Sequence, residues 1–134
     1  MLWADDESND ILEPLDRRLR RADFHVDRAI NYEGAISLLE GKTYHSVLLD
    51  IILPYSTGTG ALSHDIGVNL AEFAALSGVR YIGFLTVTRR VDFWHKIKDL
   101  EGLFPQVNFQ YFDKLELLGP NSFKEMTVFL KGSA

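Results

Sequence analysis

Apolar residues along this chain come in two alternating kinds of block. Short, almost uninterrupted runs read as strands: Met1-Leu2-Trp3-Ala4, Val47-Leu48-Leu49, Arg80 to Thr86, and Val107 to Phe112. The run before Asp50 is of the type buried on both faces of a parallel sheet. Phe24 to Ala29 alternates like a further strand. Between these runs, apolar residues recur at helical spacing. Ile11, Leu12, Leu15 and Leu19 make a stripe reaching about Arg21, behind a cap at Ser8 or Asn9. Pro14 within that stripe predicts that regular helix starts later than the cap. Tyr32 to Glu40 is a second helix, stopped by Gly41. Val68 to Leu76 is a third, ending near Gly78, and Arg90 to Leu100 is a fourth. A fifth is predicted behind a Ser122 cap, carrying Phe123, Met126, Val128, Phe129 and Leu130. Five strand–helix repeats predict an α/β fold, a parallel sheet with helices on both faces. Right-handed crossovers put every strand's carboxyl end on one edge.

Composition narrows the class. The 134 residues suffice for one domain with its own core, and 46% hydrophobic with 25% charged residues is ordinary for a globular chain. A net charge of −5 argues against direct nucleic-acid binding. Without cysteine there is neither a disulfide framework nor a thiolate metal site. No apolar run approaches the ~18 residues of a membrane span, and no signal peptide precedes Asp5. A cytoplasmic protein without a membrane partner is expected.

The shared strand edge is where the chemistry collects. Asp5 and Asp6 follow the first strand, Asp50 ends the third, Thr86 ends the fourth and Lys114 follows the fifth. Three crowded carboxylates repel, and a divalent cation relieves them. Hard oxygen donors favour Mg²⁺. A lysine and a threonine hydroxyl facing the metal make a pocket for a tetrahedral anion.

At these residues the chain resembles the receiver domain of two-component response regulators. The matching pieces are Leu2-Trp-Ala-Asp5-Asp6-Glu7, Leu48-Leu49-Asp50-Ile-Ile-Leu-Pro54, Phe84-Leu85-Thr86 and Tyr111-Phe-Asp-Lys114. The resemblance covers essentially all of residues 1–134. It implies a flavodoxin-like doubly wound (βα)5 fold with strand order 2-1-3-4-5. It implies a signalling switch rather than an enzyme, with Asp50 as phosphoacceptor. Asp6, Asp50 and the Ile52 carbonyl would hold Mg²⁺, with Asp5 acting mainly through water. Lys114 would pair with one phosphoryl oxygen and Thr86 with another. Tyr111 would be the aromatic switch that swings in behind Thr86. The donor would be a sensor histidine kinase or a histidine phosphotransfer protein. The face of the fourth helix, fifth strand and fifth helix would serve output or a homodimer.

Four features depart from the family pattern. Leu115 follows Lys114 where proline is usual. Val87 follows Thr86 where alanine or glycine is usual, which predicts a narrowed pocket mouth and slow phosphoryl loss. The stretch at about 55–66 reads as an expanded loop, with Gly67 near the next helix start. The first strand is short. Leu115 and Val87 motivate a rival reading, a pseudo-receiver that binds partners without phosphotransfer. A Mg²⁺-dependent aspartyl-phosphate phosphatase is disfavoured, because Ile52 stands where such enzymes usually carry a second acid. Arg17, Arg18, Arg20 and Arg21 form a basic patch that reads as a solvated face, with a docking surface as the functional alternative.

Overall fold

The computed structural model describes residues 1–5, 9–50, 53–54, 62–86, 91–113 and 119–132, with backbone alone at 9–12, 53–54, 62–65, 86 and 91–94. Five strands form the main sheet: β1 (Leu2–Ala4), β2 (Asp27–Ala29), β3 (Ser46–Asp50), β4 (Tyr81–Thr86) and β5 (Asn108–Asp113). All are parallel, in spatial order β2-β1-β3-β4-β5. Five helices intervene: α1 (Asn9–Arg21), α2 (Tyr32–Gly41), α3 (His64–Leu76), α4 (Val91–Leu103) and α5 (Pro120–Lys131). This is the predicted doubly wound architecture and strand order.

Strand alternation sends neighbouring side chains to opposite faces, so the core is double. Leu2, Ala4, Val47, Leu49, Ile82 and Phe84 pack toward Ala35 and Leu39 of α2, Leu70, Ala71 and Ala74 of α3, and Ile97 and Leu100 of α4. Trp3, Leu48, Leu85 and Phe112 pack toward Leu15 and Leu19 of α1 and Met126 and Leu130 of α5. Every residue of β1 and β3 is buried, which is why those runs are apolar without alternation.

Several local expectations are revised. Pro14 lies inside α1, which runs unbroken from Asn9. Leu15 and Leu19 bury against the sheet and offset the one hydrogen bond a proline removes. The fifth helix begins at Pro120 behind Gly119, not at a Ser122 cap, because proline's fixed φ suits a first turn. The second strand shrinks to Asp27–Ala29, the length that pairs with β1. Within the expected 55–66 loop, Leu62–Ser63 pairs antiparallel with Leu53–Pro54, and α3 starts at His64, ahead of Gly67. Residues 55–61 lie outside the described residues.

The short edge strand β2 is pinned by a polar clamp. Asp27 accepts hydrogen bonds from Lys42 Nζ and from the Tyr44 hydroxyl, both at 2.7 Å. The Lys42 bond, then the Tyr44 bond, hold the Asp27 carboxyl down at about 2. Burial first, then the Asp27 carboxylate, push the Tyr44 phenol well above its usual range. A depressed carboxyl stabilises the fold above the unfolded pKa near ~4 and stops doing so as pH falls through the folded value. Asp27→Asn is therefore expected to lose about 1 kcal/mol at pH 7, a value reduced by the clamp's partial exposure. The deficit should vanish toward pH 2. Urea unfolding of both proteins across pH 2–7 checks this; a constant deficit at every pH would contradict it.

Candidate functional site

The carboxyl edge of the sheet is built around two buried carboxylates. β1 and β3 pair with Ala4 opposite Leu49, so Asp5 and Asp50 are the next residues on adjacent strands. The Asp5 N–H continues the ladder by donating to the Ala29 carbonyl at 3.0 Å. Asp5 is 1% exposed and Asp50 is 9% exposed. Asp5 lies two residues past Trp3, and Asp50 two past Leu48, so alternation puts both on the α1/α5 side. Adjoining buried carboxylates repel, and their donor set of hard oxygens fits a small divalent cation such as Mg²⁺.

The rest of the edge follows from the register of β3, β4 and β5. Asp50 pairs with Leu85, and the Thr86 backbone pairs with Asp113. Tyr111 pairs with Phe84. Its ring packs against the larger core cluster and its hydroxyl oxygen is shielded from solvent.

Comparisons place this geometry. The sequence matches no protein-family profile and no curated protein. Solved structures do match. The BeF3-activated N-terminal receiver domain of RstA from Klebsiella pneumoniae gives a TM-score of 0.68 at 19% identity, over 97% of this chain and 97% of that one. A CheY-like response regulator receiver domain protein from Methanospirillum hungatei JF-1 gives 0.65 at 19% identity, over 99% and 96%. A two-component response regulator from Clostridium difficile gives 0.64 at 22% identity, over 97% and 93%. The chain has the receiver-domain fold.

Within the receiver fold, the expected site residues divide into two groups. Asp5, Asp50 and Tyr111 are at the edge, as is the Thr86 backbone. Asp6, Ile52 and Lys114 lie outside the described residues, as do Val87 and Leu115. Among the described residues, no three potential metal-ligating side chains come together. Of the expected ligand set, Asp5 and Asp50 are the members that lie among the described residues.

Two residues at or near this edge were not singled out by the sequence. Asp113 ends β5 level with Thr86. Its signal was only an acidic residue closing an apolar strand. Arg28 sits beside Trp3 on β2, its guanidinium carbon 4.9 Å from the indole centroid. That placement needs strand pairing, which no local pattern encodes.

The arginine patch on α1 is mostly solvated, with Arg17, Arg20 and Arg21 exposed and Arg18 half-buried. Arg17 pairs with Glu13 at 2.6 Å, and Arg20 with Asp16 at 3.0 Å and the Val26 carbonyl at 3.0 Å. Arg18 lies over the Phe123 ring of α5, 4.1 Å from its centroid. Among the described residues, no helix is long and apolar enough to cross a membrane.

Proposed function

We propose that this chain is a phosphoacceptor receiver domain, phosphorylated on Asp50 and acting as a conformational switch. The observation that supports it best is the buried Asp5–Asp50 pair on adjoining strand ends of a receiver fold. In open α/β sheets, that carboxyl edge is where ligands bind.

The Asp50 carboxylate attacks the phosphorus of a phosphohistidine. An oxygen–phosphorus bond forms, the phosphorus–nitrogen bond breaks, and the donor imidazole leaves and takes up a proton. Asp5, Asp6, Asp50 and the Ile52 carbonyl would hold Mg²⁺, which supplies neutralisation of the phosphoryl charge. Lys114 pairs with a phosphoryl oxygen, and Thr86 bonds another once the switch is thrown. Such a transfer needs alignment and charge neutralisation above all. The inward Tyr111 ring is the element that couples Thr86 to the β5 edge.

The partners that fit this chemistry are a sensor histidine kinase or a histidine phosphotransfer protein, in the cytoplasm. The output surface is the face of α4, β5 and α5, where a homodimer would form. Phosphorylation biases a pre-existing equilibrium between two states of that face.

Intact mass after incubation with Mg²⁺ and acetyl phosphate tests the reading. One phosphoryl adduct is expected on the parent chain and none on Asp50→Asn. An unmodified parent that still binds its partners would favour the pseudo-receiver reading. An adduct that survives Asp50→Asn would move the acceptor elsewhere.

A further inference from the structure

We infer that Arg28 is a built-in counter-charge to the Asp5–Asp50 pair and that it competes with the divalent cation there. The inference deepens the phosphoacceptor reading of this edge and rests on it.

Four observations converge. Arg28 is the register partner of Trp3, and Trp3 is the partner of Leu48. Its guanidinium carbon lies 4.9 Å from the centroid of the Trp3 indole, whose residue is fully buried. Alternation places Arg28, Asp5 and Asp50 on the same α1/α5 side, with Arg28 two residues deeper than the carboxylates. The Asp5 N–H is tied to the carbonyl of Ala29, the residue after Arg28.

The distances this implies suit a field effect. Neighbouring strands lie ~4.8 Å apart and two residues advance ~6.6 Å, so the Arg28 and Asp5 Cα atoms are about 8 Å apart, and Asp50, one strand further on, is about 12 Å away. A guanidinium held on a fixed indole keeps its position, unlike a surface arginine that swings into solvent. At such range a positive charge lowers the energy of the two carboxylates. It also repels an arriving divalent cation, twice as strongly as it would a monovalent one. Arg28 thus steadies the metal-free site while weakening Mg²⁺ binding.

Mg²⁺ titration of the full chain separates this from a structural role. Tryptophan fluorescence and calorimetry would follow the parent, Arg28→Met and Arg28→Lys. Methionine keeps an unbranched apolar stem against Trp3 and removes the charge. Arg28→Met is expected to bind Mg²⁺ roughly three- to tenfold tighter at low ionic strength, with the gap shrinking in salt. Arg28→Lys should stay within about twofold of the parent, since the charge remains. A residue that merely held β2 in place would weaken binding when removed. Unchanged or weaker binding by Arg28→Met would therefore overturn the inference.

A metal-free arm adds an independent readout. In EDTA, Arg28→Met should lower Tm more in the parent background than in Asp50→Asn, where one of the two charges it offsets is gone. Equal losses in both backgrounds, with Mg²⁺ still binding, would sink the counter-charge alone. No Mg²⁺ binding by any of these proteins would remove the metal reading and the competition together.

Discussion

Phe84→Ala is expected to cost about 3–5 kcal/mol of stability, enough to lower Tm by roughly 10–20 °C. Phe84 is fully buried at the middle of β4, with Leu49 of β3 and Tyr111 of β5 as its register partners. Its ring stacks on Phe109 at 6.3 Å between centroids and 15° between planes. Strands flank it on both sides, and Ala71 and Ala74 of α3 share its cluster, so little is free to move into the gap. The cavity term therefore adds to the lost transfer energy. Phe109→Ala, at a half-buried position on the edge strand, should cost less than half as much. Urea unfolding measures both. A Phe84→Ala loss under ~2 kcal/mol would mean that the β4–β5 layer collapses into the space. Phe84 also stands two residues before Thr86, so the same variant should loosen the carboxyl end of β4.

Trp3 gives the second large effect, with a sharper internal contrast. Trp3→Ala should cost about 3–5 kcal/mol, because the indole is fully buried among Leu15, Leu19, Leu48 and Met126. Trp3→Phe should cost only about 1 kcal/mol. The indole Nε1 is buried without a hydrogen-bond partner among the described residues. Replacing it with a carbocyclic ring removes an unsatisfied donor, which offsets part of the lost volume. The smaller ring also still offers a face to the Arg28 guanidinium. Guanidinium unfolding of the two variants tests the contrast. Equal losses would show that volume alone decides this position. A large loss for Trp3→Phe would show that the indole N–H is satisfied after all.

Much of this protein was legible in one dimension because burial is written there as composition. A strand covered on both faces must be apolar throughout, so Val47-Leu48-Leu49 announced itself, and so did the anomaly of Asp50 at its end. Helices that bury one stripe must repeat at helical spacing, so all five were visible. Their ends were less so. Pro14 and Ser122 carry strong local preferences, yet α1 continues through the proline with Leu15 and Leu19 buried, and Pro120 starts α5 before the serine. In both cases the global packing or backbone fit outweighs a preference worth one hydrogen bond.

The sequence by itself determined the class of fold, the shared edge and the carboxylates that line it, since each depends on residue type and spacing within one segment. Tertiary structure alone decided which residues stand side by side. Asp5 meets Asp50 because β1 pairs with β3 in one particular register. Arg28 lies over Trp3 because β2 takes the outer place beside β1, and Tyr111 turns its hydroxyl inward because β5 closes the sheet against Phe84. Those neighbours are set by long-range pairing, whose free energy comes from burying both faces of the whole sheet at once, and no local stretch of chain carries that information.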